Sequence, residues 1–162
     1  MRHHASRDSR SGGTHIARAL LAAGAFCAVF TAVALARTLT LTVARHATVV
    51  SAMGKTTHEN IVVNARGFPV YELTGDSRSH PECTKASGCF GFWPPVTVAS
   101  AHRLAKARGV SGKLGTWRRN GFIQVTLGGH PLYTFGADVK PRLASGEGYQ
   151  SYGGTWHVVR AK

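Results

Sequence analysis

The sequence predicts a mainly β protein in which two hairpin repeats pack as one small domain. A ten-residue pattern of Gly, Pro, Tyr and Asp occurs twice, at 67–76 and at 129–138. Each copy follows a stretch rich in β-branched residues and continues into a short apolar segment, which is typical of a strand, a turn and a second strand. Because two units of this size bury little surface alone, we expect them to pack together with pseudo-twofold symmetry.

The positions shared by the two copies have structural explanations. A proline cannot donate to a sheet ladder, so each one is expected at the start of a return strand. The Tyr that follows and the residue two positions later share one strand face, which we expect to enter the core. Upstream, Ile61 corresponds to Ile123 by this alignment. The structural motif residues are Gly67, Pro69, Tyr71, Asp76, Trp93, Gly129, Pro131, Tyr133, Asp138 and Trp156.

The predicted organisation has three parts: a targeting segment at 1–36, a linker at 37–48 and a two-repeat domain at 49–162. Repeat 1 covers about 49–98, a connector covers 99–109, and repeat 2 covers about 110–162. One short helix is expected in the connector, because Ser100 can cap residues 101–108 and Gly109 can end them. No other stretch of the domain has a helical pattern.

The first 36 residues have the features of an export signal or a membrane anchor. Four arginines precede an uncharged apolar run at 19–36, which as a helix of about 18 residues would measure about 27 Å, close to a bilayer core. Ala34-Leu35-Ala36 is an A-x-A cleavage site. Cleavage and retention as an anchor with the N-terminus inside both stay open. Cys27 is an unconvincing lipidation site, because Phe26 precedes it where a small residue is expected.

The cysteines and the charge are consistent with export. Cys83 and Cys89 are expected to form a disulfide in an oxidising compartment, with metal ligation as the alternative. The net charge of +13 would suggest nucleic acid in a cytoplasmic protein, but outside the membrane the available polyanions are lipid headgroups and wall polymers. A contact with such an anionic surface is assigned to Arg103, Lys106, Arg108, Arg118 and Arg119, with a merely solvated basic face as the alternative.

Few residues form a catalytic or metal-binding pattern. Asp76 and Asp138, brought together by pseudo-symmetry, could bind a cation or act as an acid/base pair, but we favour carboxylates that accept backbone N–H groups in a turn. His80 near Cys83 is a weak metal candidate. No G-x-S-x-G elbow occurs. The sequence therefore predicts no enzyme and no cofactor.

Several of these stretches together resemble a bacterial family of secreted repeats, often predicted lipoproteins, with a Tyr-x-aromatic-x-x-Asp motif. The residues are Tyr133 to Asp138 after Gly-His-Pro-Leu, the two cysteines before Trp93-Pro94-Pro95, and Gly153 to Val159. The resemblance covers about 49–160 and implies a β-rich envelope protein of unestablished role. Leu73 replaces the aromatic residue of the first copy, and the cysteines are two residues further apart than expected.

The function expected from the sequence is that of an exported cell-envelope protein, a non-enzymatic binding or structural module that contacts anionic envelope components. Lipid headgroups or wall polymers are the expected partners, nucleic acid is not, and the membrane is a further partner if residues 19–36 are retained. The alternative is an extracytoplasmic carrier of a small ligand, a metal or a redox cofactor.

Overall fold

The computed structural model describes residues 39–162, which form a β domain. Its two helical segments are single 3-10 turns, at Cys89–Gly91 and Ala101–Arg103. Within the described residues no helix is long and apolar enough to cross a bilayer. The strands are β1 Leu41–Ser51, β2 Thr56–Asn64, β3 Tyr71–Leu73, β4 Thr97–Val98, β5 Leu114–Arg119, β6 Phe122–Leu127, β7 His130–Pro131, β8 Leu143–Glu147, β9 Gln150–Ser151 and β10 Gly154–Val158.

Three small sheets contain these strands. In the first, β1 lies between antiparallel β2 and parallel β8. In the second, β10 lies between β3 and β9, and in the third β6 pairs with β4, β5 and β7, all antiparallel. The expected mainly β class is therefore confirmed. The predicted hairpin of the first repeat is reduced to a bridge between Val63 and Pro69, because β2 and β3 lie in different sheets, and Pro131 ends β7 rather than starting a return strand.

The two repeats exchange their last strands. β4 ends repeat 1 but pairs with β6 of repeat 2, and β10 ends repeat 2 but pairs with β3 of repeat 1. The repeats thus complete each other's sheets, and neither has a full set of strand partners by itself. The sequence predicted that the repeats pack together but not that they exchange strands.

Matching rings of backbone hydrogen bonds define the pseudo-twofold relation. The Val62 N–H donates to the Val159 carbonyl at 2.8 Å, Val159 to Val70 at 2.9 Å, and Val70 back to Val62 at 3.1 Å. The other half contains the same ring, with distances of 2.7, 2.9 and 3.0 Å, formed by Val125, Val96 and Leu132.

These rings correct the sequence alignment upstream of the turn. Val62 corresponds to Val125, so Ile61 corresponds to Gln124 rather than to Ile123. The first turn is one residue longer than the second, since the Asn64 N–H bonds to the Phe68 carbonyl across the first turn whereas Leu127 pairs with His130 across the second. Ile61 and Ile123 are both buried, so hydrophobicity alone could not show the shift.

The core consists of two clusters, each with residues from both repeats. One is aromatic and contains Tyr71, Tyr133, Trp93 and Trp156 with the disulfide. The other is aliphatic, with Leu41 and Leu132 among its fully buried residues. Both clusters are built from residues between Leu41 and Val158. Residues 39–162 therefore carry a core of their own and qualify as an independently folding domain.

Two boundaries predicted from the sequence need correction. Most of the expected linker at 37–48 belongs to β1, whose Leu41, Ala44 and Ala47 are buried. The expected helix at 101–108 is reduced to Ala101–Arg103, although the Ser100 side chain does accept the His102 N–H as a cap.

The connector is not helical because its second half bonds to β1 instead. The Ala105 carbonyl accepts the Thr40 N–H at 2.7 Å, and the Ala107 N–H donates to the Leu41 carbonyl at 2.9 Å. Leu104 already has extended backbone angles. Tertiary pairing here overrides a weak helix propensity. The predicted signal or anchor, its cleavage site and Cys27 lie outside the described residues.

Candidate functional site

The two motif tyrosines lie side by side on the pseudo-twofold axis. The Tyr71 N–H donates to the Tyr133 carbonyl at 2.8 Å, and the Tyr133 N–H donates back at 3.0 Å. This antiparallel bridge places both rings in the centre of the domain, where each residue is 0% exposed. This placement agrees with the sequence prediction that the two motif tyrosines enter the core.

Each tyrosine bonds to the aspartate of the opposite repeat. The Tyr71 hydroxyl donates to Asp138 Oδ2 at 2.7 Å, and the Tyr133 hydroxyl donates to Asp76 Oδ2 at 2.6 Å. Both aspartates are buried. The Tyr and Asp of one motif copy therefore do not pair with each other, and the two copies are linked by crossed hydrogen bonds.

The remaining carboxylate oxygens organise the turns that follow. Asp76 Oδ1 accepts the Glu82 N–H at 2.9 Å. Asp138 Oδ1 accepts the Ser145 N–H at 2.8 Å and the Ser145 hydroxyl at 2.6 Å. All four carboxylate oxygens thus accept hydrogen bonds: one oxygen of each aspartate accepts a backbone N–H in the turn, and the other accepts a tyrosine hydroxyl. In the part of the chain that is described, His, Cys, Asp and Glu do not gather in groups of three suited to a metal ion.

Burial keeps the tyrosine hydroxyls protonated. Loss of solvation, followed by the Asp138 charge and hydrogen bond, raises the pKa of Tyr71. Burial and then the Asp76 bond raise the pKa of Tyr133. Burial also raises the pKa of Asp138, although the Ser145 and Tyr71 bonds oppose this. The crossed pairs are therefore hydrogen-bond donors and acceptors held away from water, with no ionised tyrosine to act as a nucleophile or base.

The motif tryptophans stack between the tyrosines. Trp93 and Trp156 lie 3.8 Å apart with their planes at 5°, one from each repeat. Tyr71 meets Trp93 edge-on at 5.4 Å, and Tyr133 meets Trp156 edge-on at 5.2 Å. Such edge-to-face pairs add to the burial energy of the rings. Trp93 is therefore a core residue rather than the rim of a ligand site.

The disulfide predicted between Cys83 and Cys89 is present, with 5.4 Å between the Cα atoms. Both cysteines are fully buried in the aromatic cluster. His80 does not join them, since its Nε2 lies 2.9 Å from Glu82 Oε1 on a largely exposed side chain. The sequence makes His80 a weak metal candidate because it lies near Cys83. In the structure its imidazole instead pairs with the Glu82 carboxylate.

Arg119 is an internal structural residue that the sequence grouped with the surface cations. Its Nε donates to Gln124 Oε1 at 2.7 Å, its Nη1 to the Cys83 carbonyl at 3.0 Å and its Nη2 to the Tyr133 hydroxyl at 2.7 Å. The guanidinium also lies 4.0 Å from the Trp117 ring centre. Arg119 therefore connects the disulfide loop to the crossed Tyr–Asp pair and is not free to meet a partner.

The other basic residues of the predicted contact are exposed. Arg103, Arg108 and Arg118 point to solvent, and Lys106 does so while its ammonium group donates to the Val110 carbonyl. Three of these four cations lie in the connector, which is fixed to Thr40 and Leu41 by the backbone bonds described above. We call Arg103, Lys106, Arg108 and Arg118 the basic surface.

The acidic side chains, in contrast, are mostly engaged within the protein. Arg160 lies 2.9 Å from Glu59 and 3.0 Å from Glu147. Glu147 also accepts from the Val158 N–H at 2.8 Å and contacts His157. Although burial opposes it, these bonds lower the pKa of Glu147. Together with the two buried aspartates, this pairing leaves little negative charge to neutralise the exposed cations.

A half-open groove of about 430 Å³ lies beside the first repeat. Its walls come from Leu39–Thr40, the turn Asn64–Arg66 and the segment Pro94–Val98, with Thr134 at one end. The volume is in the range of small-ligand sites. The groove is lined by prolines, threonines and aliphatic residues together with Asn64, and Arg66 is its charged residue.

Comparison with known proteins gives one finding. Residues 116–160 match a family model described as a secreted repeat of unknown function. The match lies inside repeat 2 and covers β6, the second motif copy and β10. Curated proteins and solved structures show no significant match to the chain. The chain is thus similar, over its second repeat, to secreted repeats, which fits an exported protein whose biochemical role is not established.

Proposed function

We propose that this protein is an exported, non-enzymatic binding module whose basic surface contacts anionic components of the cell envelope. The observation that carries the proposal is the separation of charges in residues 39–162. Asp76 and Asp138 are buried, Glu59 and Glu147 share Arg160, and Glu82 faces His80, while the four cations of the basic surface are exposed.

This separation favours binding rather than simple solvation. Within residues 39–162 none of these four cations forms an ion pair. Unpaired exposed cations attract polyanions, and each Lys or Arg near an anionic surface contributes about 1 kcal/mol. The connector also holds its cations on a backbone bonded to β1, so these charges are presented on the domain rather than on a free tail. The non-enzymatic part of the proposal is supported by the protonated tyrosines and the hydrogen-bonded aspartates at the centre of the domain.

The test compares two variants of residues 39–162 that lose the same charge. In the first, Arg103, Arg108 and Arg118 are changed to Gln, which spares Lys106 and Arg119 because both bond to the protein. In the matched control the exposed Lys55, Arg78 and Lys85 are changed to Gln. Binding is measured on immobilised inorganic polyphosphate and on phosphatidylglycerol vesicles over a range of salt concentrations.

Binding should weaken with salt, and the first variant should lose affinity by on the order of a hundredfold at low salt, from about 1 kcal/mol for each cation. The control should lose much less. Equal losses in the two variants would mean that overall charge, and not the basic surface, attracts polyanions. Absence of binding to both probes would refute the proposed function.

A second candidate, an extracytoplasmic small-ligand carrier, is supported by the groove beside Asn64–Arg66. Native mass spectrometry of residues 39–162, purified without chelator, tests it directly. A stoichiometric bound species that is lost in Arg66→Ala would favour the carrier. A mass equal to the disulfide-bonded polypeptide would count against it.

A further inference from the structure

The pseudo-twofold symmetry allows residues at equivalent positions of the two halves to be compared, and the comparison indicates which surface residues the fold requires. The Gly136 N–H donates to the Phe92 carbonyl at 2.8 Å, and at the equivalent place the Thr74 N–H donates to the Thr155 carbonyl at 3.0 Å. Phe92 therefore corresponds to Thr155. A residue type that appears at only one of two equivalent positions is not dictated by the shared backbone.

The half around the second motif copy has apolar residues where its counterpart has small or polar ones. Phe92 is 65% exposed, and its counterpart is a threonine. Val139, which follows Asp138, is 81% exposed, and its counterpart after Asp76 is Ser77. Because the equivalent positions hold Thr and Ser, the fold does not require an apolar residue at Phe92 or Val139. We call Phe92 and Val139 the apolar tips.

Aromatic rings lie next to Phe92, because Phe135 precedes Gly136, whose N–H donates to the Phe92 carbonyl. Phe135, half-buried, stacks on Trp93 at 4.3 Å and lies 5.4 Å from the partly exposed Tyr149. Its counterpart in the first copy is Leu73, which is only 1% exposed. The half around the second motif copy therefore adds aromatic surface near the apolar tips that the other half lacks.

The charge next to the apolar tips is positive. Lys140 follows Val139 and is exposed, while the neighbouring Asp138 carboxylate faces inward to Tyr71 and Ser145. Within residues 39–162 the ion pairs involve Arg160, His157 and His80, and none involves Lys140. Exposed apolar side chains beside an uncompensated cation suit the interface of an anionic bilayer, where burial of apolar surface and attraction to headgroups add together.

We infer that the apolar tips, Phe92 and Val139, insert into the interface of an anionic lipid membrane, with Lys140 at the headgroups. This inference rests on the proposed function and narrows it, because it selects lipid rather than a wall polymer as the partner. The aliphatic Val139 favours lipid, since it offers no flat ring on which a sugar could stack and no charge for a phosphate.

The experiment measures co-sedimentation of residues 39–162 with vesicles of phosphatidylcholine alone or mixed with phosphatidylglycerol. The test variant is Phe92→Ser with Val139→Ser, both at exposed sites that should tolerate the change. The matched control is Met53→Ser, which removes an apolar side chain that is 93% exposed in the β1–β2 turn. Binding to immobilised polyphosphate is measured for all three proteins.

The wild-type protein and Met53→Ser should bind the mixed vesicles equally, and the test variant should bind at least about tenfold more weakly, as expected for losing two partly buried apolar side chains. Polyphosphate binding should be unchanged in all three. Equal vesicle binding by the test variant would refute insertion of the apolar tips. Binding to polyphosphate without binding to vesicles would refute the membrane inference while leaving the proposed function intact, and binding to neither would refute both.

Discussion

Removing one tyrosine hydroxyl should destabilise the whole domain, because each crossed bond joins the two repeats. In Tyr71→Phe the ring stays in place, but Asp138 Oδ2 loses a donor at 2.7 Å and the Gly146 N–H loses its acceptor at 3.2 Å. In Tyr133→Phe, Asp76 Oδ2 and the Arg119 Nη2 group both lose their partner. Water cannot replace these bonds without entering the core.

The expected cost follows from the charge and burial of the acceptor. A hydrogen bond to a charged group contributes about 1.5–3 kcal/mol, and a buried group left without a partner adds to the loss. We therefore expect each Tyr→Phe variant to lower the free energy of unfolding by about 2–3 kcal/mol. At roughly 4 °C for each kcal/mol, the melting temperature should fall by about 10 °C.

Urea unfolding of residues 39–162, followed by tryptophan fluorescence without reductant, measures this loss. Tyr149→Phe is the matched control, because Tyr149 is partly exposed and should change stability by less than about 0.5 kcal/mol. If Tyr71→Phe were as stable as the control, the crossed Tyr–Asp bond would not hold the repeats together.

Three further predictions concern packing, the disulfide and acid stability. Gly146→Ala should lower the free energy of unfolding by about 2–3 kcal/mol, because its Cβ would lie 2.7 Å from the Trp93 ring. The control Gly91→Ala, whose Cβ would have nothing within 4 Å, should leave the melting temperature unchanged. Similar melting temperatures of the two variants would contradict this packing. Cys83→Ala with Cys89→Ala should cost about 2 kcal/mol in urea unfolding, from a short closed loop, and an unchanged midpoint would contradict this. The pKa of Glu147 is lowered from 4.5, so its stabilisation is present above that pH and is lost as the pH falls through the lower folded value. The stability gap between the wild type and Glu147→Gln should therefore shrink in acid, and a gap that widens would show the opposite shift.

The sequence was most informative where local chemistry decides the structure. The motif tyrosines were expected to face inward, because a strand of such a domain buries one face, and both are fully buried. The disulfide between Cys83 and Cys89 followed from their number and the expected compartment. These features depend on residues near in sequence, and the structure agrees with them.

The strand exchange could not be predicted in the same way. The hydrophobic pattern of Trp93–Val98 fits pairing with either repeat equally well, because the repeats present equivalent edges. For the same reason, the sequence could not show that each motif tyrosine bonds to the aspartate of the opposite copy. The alternation of Trp117 and Arg119 on one face of β5 was the signal that could have separated Arg119 from the exposed Arg118.

The connector shows a local prediction overruled by tertiary contacts. Ser100 does cap a turn, but the backbone groups of Ala105 and Ala107 bond to the start of β1. A helix over 101–108 would lose these bonds. The outcome bears on the proposed function, since Arg103 ends a 3-10 turn and Lys106 and Arg108 follow on a chain bonded to β1 rather than around a helix.

The central claim, that the basic surface is where polyanions bind, is tested most directly by an NMR titration of residues 39–162 with soluble polyphosphate. If the basic surface binds polyanions, amide shift changes should concentrate at Arg103–Arg108 and at Arg118 and should decline as salt is added. Changes spread evenly over exposed cations such as Lys55 and Lys85, or no changes at all, would contradict it.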